Sequence, residues 1–533
     1  MIPENLPVKA KIREYLIPLA IFFIITASTF LFYLSDHKSY GPTWDELIFH
    51  RETGKRYYQF LKSGDLGPIM KYGNSSWFPP VAPTFGYFFE QNELVKKYLP
   101  DDNDRFHLAG IVFGSLTIGV VYIISYQLTE NYSLSILAAI ILAFYPQFVT
   151  QAHNNVRDMG VTFFYSLTVM VMLVAVKYKR FFSGIMVTGF LIGIATATKQ
   201  NGALLLILAT IFFLRFGQNI GEVKLMAGLI LLFVIFIWTF IAFWPFLWVN
   251  TIYHLVKTWL FLSDPKIIAG NTVFFDKVYA SMKNIPVYYP YVMLFLFTAP
   301  ILALTAGAGF IVSLIYFIKG NEKGLIFLWL FLPLSRFFMQ TSSISYDQIR
   351  HFFEVVPAIP ILAVLFIYFL KERFKKIEKI QVLLPIWLLI ITGYNIFLTF
   401  RYRPYGTAYF NMFAGKPSYV NHAFDVEYYG NVYREASKIL RSRYGKNVRF
   451  YTAGLGAHIL QQNGLTNPLT DNTEDDFDYV IFMNKQTWLR SNPYALWLVE
   501  TQKPVYTIER EGKILFYQFL PYKEEYFKLS QRS

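Results

Sequence analysis

The chain is built from long apolar blocks separated by short polar ones. About 20 consecutive, mostly apolar residues are needed for a helix to cross a bilayer. Eleven runs meet that pattern: 15–34, 106–126, 132–150, 159–177, 182–198, 201–216, 223–245, 290–317, 323–339, 352–370 and 380–400. The fifth and sixth are separated only by Lys199-Gln200, so a broken hairpin is the alternative there. The first run follows basic residues but lacks a small-residue cleavage site, and it reads as a signal anchor that stays as the first span. Beyond residue 400 the pattern changes. Short strands such as Val448-Arg449-Phe450-Tyr451 and Tyr479-Val480-Ile481-Phe482 alternate with a helical pattern over Val432 to Leu440. The expected organisation is therefore a transmembrane domain over 1–400 and a small α/β domain over 401–533 that holds no catalytic group. There is no internal repeat.

Charge gives these blocks a direction. Lys and Arg accumulate in short cytoplasmic loops. Lys9, Lys11 and Arg13 precede the first run, and Lys177, Lys179, Arg180, Arg215, Lys224, Lys319, Lys323 and the group from Lys371 to Lys379 fall in the same phase. Only the short loop near Asn131 lacks the signature. This phase places the N-terminus in the cytoplasm and loops 35–105 and 246–289, with everything after 400, on the outer side. Composition agrees with a membrane chain: 54% of residues are hydrophobic, 19% aromatic and only 16% charged, against about 25% charged in soluble domains. The net charge of +14 sits in loops between apolar runs, which argues against nucleic acid as partner. With no cysteine, disulfides and thiolate chemistry are excluded.

Candidate chemistry gathers at the outer ends of the runs. Asp45-Glu46 lies in the first outward loop, where Thr43 and Glu46 also have capping-box spacing. Glu46 can therefore serve the cap while Asp45 faces a cavity. His153, Arg157 and Asp158 lie together in the next outward turn and suit an anionic ligand, or else form a solvated turn with Asp158 at a helix start. Lys199, Arg350 and His351 also reach the outer face; their plainer readings are snorkelling for Lys199 and an i,i+4 pair with Glu354 for Arg350. Arg336 is a second possible partner of Glu354. Asn395 reads as an interhelical hydrogen bond. No histidine shows metal-ligand spacing, and Asn74-Ser75-Ser76 is a bare sequon.

In order and spacing these residues resemble the GT-C glycosyltransferases of the protein O-mannosyltransferase and aminoarabinose transferase superfamily. The resemblance is carried by Asp45-Glu46, Pro79-Pro80 with Pro83, Asn154 to Met159, Ala195 to Lys199, Pro286 to Tyr289, and Ile349 to Phe352 with Pro357. In the tail it rests on Pro404 to Gly415 and Asp425 to Gly430. It covers nearly the whole chain. No β-trefoil insert of the eukaryotic kind is present, which points to a bacterial or archaeal type. It implies a polytopic helical GT-C fold of about eleven spans in the cell (inner) membrane, working on its outer side. The implied activity is inverting transfer of a sugar from a polyprenyl-phosphate carrier to a hydroxyl of a protein, lipid or glycan. Asp45, Glu46 and Asp158 would be catalytic, and Arg157, Lys199, Arg350, His351 and His153 would bind substrate. Any metal stays open, with a divalent cation possible and no cofactor implied. The competing readings are a transporter or flippase of lipid-linked glycans and an inactive GT-C scaffold. Reporter fusions at Lys376 and Lys446 should report opposite sides of the membrane; signals from the same side would overturn this topology.

Overall fold

The computed structural model describes residues 16–71, 77–217, 221–264, 270–280, 284–339, 346–452 and 456–530. The basic N-terminal residues Lys9 to Arg13 and the sequon at Asn74 lie outside them. Every one of the eleven expected apolar runs is helical, yet they differ in length. Among the described residues eight helices are long and apolar enough to cross a membrane: Ile17–Ser39, Asp102–Thr129, Val156–Lys177, Phe181–Thr198, Glu222–Ala242, Pro300–Ile318, Arg350–Arg373 and Glu378–Tyr402. The third expected run is bent by 60° into Tyr132–Ala143 and Pro146–Asn154, which raises the number to nine if the pair is one span. The chain is a multi-pass membrane protein.

Proline accounts for several departures from straight spans. Pro146 sits in the first turn after the bend, where its missing N–H costs nothing. The expected run 290–317 divides in the same way into Tyr289–Phe297 and Pro300–Ile318. The fifth and sixth runs are separate helices, Phe181–Thr198 and Leu204–Phe216, joined through a 3₁₀ turn at Gln200–Ala203. Among the described residues the Asn395 side chain makes no hydrogen bond to a neighbouring helix; its Nδ2 donates to Ile391 O at 2.9 Å on its own helix.

Helix Asp102–Thr129 is buried along most of its length, and helices Ile17–Leu34, Tyr132–Ala143 and Val156–Lys177 pack against it. Small residues allow the closest approaches. At Gly309 an added Cβ would stand 1.9 Å from the Leu362 carbonyl oxygen, so helices Pro300–Ile318 and Ala358–Arg373 touch backbone to backbone. The second of these follows the 3₁₀ turn Arg350–Val355.

Outside the spans, a hairpin of β1 (Asn271–Phe274) and β2 (Lys277–Ala280) leans on the C-terminal region, where Asp276 N donates to Ala423 O at 3.2 Å. That region holds a five-stranded mixed sheet of β3 (Phe450–Tyr451), β4 (Leu469–Thr470), β5 (Tyr479–Met483), β6 (Tyr506–Arg510) and β7 (Lys513–Phe519) in the order β4-β3-β5-β7-β6. Contacts from β3 to β4 and β5 are parallel, and those of β7 are antiparallel. Helix Val432–Arg443 covers it. The first loop is tied to the same region: Gly41 N donates to Asn431 Oδ1 at 2.8 Å and Trp44 N to Tyr429 O at 3.2 Å.

Gly309→Leu should force the two helices apart and cost roughly 1–3 kcal/mol, as overpacking of close-packed interiors does. Thermal unfolding of the purified variant checks this; an unchanged midpoint would contradict the close approach.

Candidate active site

The polar residues at the helix ends converge on one guanidinium. Arg350, at the start of its 3₁₀ turn, donates from Nη2 to Asp45 Oδ2 and from Nη1 to Asp347 Oδ2 at 3.0 Å. Its Nε lies 3.8 Å from Asp158 Oδ2. The rings of Tyr346 and Tyr429 sit 5.6 and 5.7 Å from its Cζ, within cation–π range. Arg350 thus turns to Asp45 and Asp347 rather than to Glu354.

Each carboxylate is placed by local structure. Asn155 caps helix Val156–Lys177, accepting the Asp158 N–H at 3.0 Å and donating to Asp158 Oδ2 at 2.6 Å. Lys199, where helix Phe181–Thr198 ends, reaches Asp158 Oδ1 at 2.5 Å. Asp347 is gripped a second time by Lys485 at 2.7 Å. Asp347 and Gln348 both adopt left-handed backbone angles, φ +54° and +64°, an arrangement that persists only when its surroundings enforce it. The Gln348 side chain does so: it accepts from Gln147 at 2.9 Å and donates to Thr407 O at 2.9 Å and Asp425 O at 2.7 Å.

Asp45 and Glu46 point to different surroundings. Glu46 is buried and reciprocates with Thr43 across the helix start, each backbone N–H meeting the other's side-chain oxygen at 3.4 Å. It also holds His107 at 2.7 Å and Arg51 at 3.0 Å. Asp45 instead lines a cavity of about 370 Å³ together with Trp44, Arg350, Tyr429, Lys485 and Trp488. Burial raises the Asp45 carboxyl, but Arg350 beside it, with His50 and Arg157 nearby, outweighs that and lowers it to about 2. Burial pushes His50 down to about 4, so it is neutral at pH 7.

Other expected site residues fare differently. Arg157 stands over the Phe78 ring, 4.9 Å from its centroid, and its Nε has no hydrogen-bond partner among the described residues. The His351 ring meets Tyr346 edge-on at 4.4 Å and does not line the cavity. His153 lies away from it, stacked on Tyr40 at 3.9 Å and bonded to Val149 O and Tyr33 O at 2.7 and 3.0 Å. It braces the first span and the bent pair. The C-terminal region enters the site: Tyr428, Tyr429, Tyr433, Met483, Lys485 and Trp488 form much of the cavity wall. The Tyr429 hydroxyl joins Asn155 at 2.9 Å and Gln151 at 2.5 Å. Nothing in the sequence around Lys485 marks it, whereas Tyr428 and Tyr429 fall within the Asp425 to Gly430 motif. Among the described residues no group of three or more His, Asp or Glu side chains is arranged to hold a metal ion.

A second, apolar hollow of about 360 Å³ is lined by Tyr57, Phe60, Pro80, Phe85, Phe243 and Trp248. Phe78, two residues before the hollow's Pro80 in sequence, packs under Arg157 and against Phe49.

The profile of the family described as dolichyl-phosphate-mannose-protein mannosyltransferase matches residues 95–244. No curated protein matches the chain. Among solved structures, ArnT from Cupriavidus metallidurans in the apo state is similar over 95% of this chain and 98% of its own, at 12% identity and a TM-score of 0.51. The same protein bound to undecaprenyl phosphate is similar over 94% and 97%, at 13% identity and a TM-score of 0.48. AglB from Archaeoglobus fulgidus, in complex with an inhibitory peptide and a dolichol-phosphate, is similar over 89% and 71%, at 10% identity and a TM-score of 0.47. Residues 95–244 are thus similar to that mannosyltransferase family, and the chain as a whole shares its fold with ArnT.

One buried carboxyl behind the cavity gives a pH test. Burial raises Glu427 to about 7, although its Oε1 accepts the Tyr429 and Gly430 N–H groups at 2.8 and 3.1 Å, which pull the other way. A carboxyl raised on folding stabilises the fold fully below its unfolded value, and that contribution is lost as pH rises through about 7. Thermal stability should therefore fall between about pH 5 and pH 8, by no more than about 3 kcal/mol, and Glu427→Gln should flatten this slope. An identical slope in the variant would contradict the assignment.

Proposed function

We propose that the protein is an inverting glycosyltransferase that takes a sugar from a polyprenyl-phosphate carrier and transfers it to an acceptor hydroxyl at the outer face of the cell membrane. One observation carries the reading: a carboxylate and a guanidinium, Asp45 and Arg350, stand side by side on the wall of a cavity at the ends of the spans. The Lys199–Asp158 pair behind them supplies a second cation and anion.

The chemistry follows from the leaving group. The second ionisation of a phosphate monoester lies near about pH 6, so it departs as an anion without a general acid. One base is then sufficient, unlike glycoside hydrolysis with its two carboxyl groups. Asp45 takes the acceptor's proton as that oxygen attacks the anomeric carbon. The bond from that carbon to the phosphate oxygen breaks, and the phosphate leaves with the electron pair. Arg350, Lys199 and Arg157 stabilise the charge that gathers there. Asp158 holds Lys199. The apolar hollow lined by Pro80, Phe85 and Trp248 suits the first isoprene units of the carrier. The aromatic cavity wall from the 401–533 domain would receive the acceptor, a protein, lipid or glycan hydroxyl.

The direct test is turnover by purified protein with a panel of polyprenyl-phosphate sugars, products being read by mass spectrometry. Asp45→Asn should lower turnover by about 10²–10⁴-fold, the usual share of a positioned base, without loss of thermal stability. If Asp45→Asn stays active and Glu46→Gln is dead, the base is Glu46. Activity in both would remove the pair from the chemistry.

A further inference from the structure

The three carboxylates around Arg350 are not equally held. Asp158 has Lys199 and Asn155 besides Arg350, and Asp347 has Lys485. Among the described residues Asp45 hydrogen-bonds through its side chain to Arg350 alone. It is also the accessible one: its side chain is 24% exposed, against 6% for Asp347 and 4% for Asp158. Of the three it can leave Arg350 with least disturbance, and it leaves into the cavity.

We propose that the Asp45–Arg350 pair is a latch that the donor's phosphate opens: the phosphate takes the Nη2 edge of Arg350, and the displaced Asp45 carboxylate becomes free to accept the acceptor's proton. This rests on the donor reading given above and deepens it. A carboxylate bound to a guanidinium is a poor base, and the resting Asp45 is held near 2. The donor's phosphodiester carries one negative charge, as the carboxylate does, and its two free oxygens fit the same planar fork. Asp347, gripped by Lys485, and Asp158, gripped by Lys199, keep the guanidinium in place while Asp45 departs. The base is then switched on only where a donor is seated, so the donor must bind before the acceptor's proton can move.

Linkage gives the sign of the test. If phosphate binding must break the Asp45–Arg350 pair, removing Asp45 must strengthen phosphate binding. The probe is farnesyl phosphate, titrated calorimetrically against the full-length protein in detergent. Asp45→Asn should bind it about tenfold more tightly than wild type, the coupling expected of a partly buried pair. Asp45→Ser carries the same expectation should the amide destabilise the fold. Asp45→Glu, which keeps a competing carboxylate, should stay near wild type. Asp347→Asn removes the same charge from the braced edge and should gain less than about threefold. Inorganic phosphate, competing against farnesyl phosphate, should show the same ratio between variants, and uncharged farnesol should show none. Equal or weaker binding by Asp45→Asn overturns the latch, as does an equal gain in Asp347→Asn or with farnesol. A failure of farnesyl phosphate to bind any of the proteins instead removes the donor reading and the latch with it.

Discussion

Taking an arginine and three aspartates out of water costs several kcal/mol per charge, and the loss is recovered only if each charge finds partners of opposite sign with good geometry. The network around Arg350 meets that condition by alternation. Lys199 answers Asp158, Arg350 answers Asp45 and Asp347, and Lys485 answers Asp347 again. Removing Lys199 would leave the buried Asp158 poorly compensated, whereas Arg350 keeps Asp347 and Asp158 when Asp45 is gone. The helices that end there are therefore tied together at one level, and the backbone around Asp347 and Gln348 is held in left-handed angles that it would otherwise avoid.

The fold supplies these charges from widely separated parts of the chain. Asp45 follows the first span, Asp158 opens the helix after the bent pair, Lys199 closes the next, and Arg350 precedes Ala358–Arg373. The last contribution comes from the C-terminal region, which does more than cap the membrane part. Its Tyr429 bonds Asn155, and its Lys485 secures Asp347. A change in how that region sits would be felt at Arg350 through the Lys485–Asp347 pair and the Tyr429 ring.

Much of this is legible in the sequence because burying charge near a membrane is costly, so each charged residue at the end of an apolar run stands out. Asp45, Asp158, Lys199 and Arg350 are found that way, and the capping-box spacing of Thr43 and Glu46 separates two adjacent carboxylates that composition alone cannot. Lys485 escapes notice because a single lysine after a strand is ordinary; its significance lies in a contact across 138 positions. His153 misleads for the opposite reason: its polar neighbours suggest a site, while its stacking on Tyr40 is a tertiary fact. Hydropathy also passes over the breaks at Pro146 and Pro300, since a kink leaves mean apolarity unchanged.

In the proposed mechanism Arg350 is the meeting point of the donor phosphate and the catalytic base. A structure of the protein with a polyprenyl phosphate bound tests that most directly. The expected structure has phosphate oxygens on Arg350 and Lys199, the isoprenoid chain in the hollow lined by Pro80 and Phe85, and Asp45 turned away from the guanidinium into the cavity. A phosphate held elsewhere, with the Asp45–Arg350 pair intact, would contradict it.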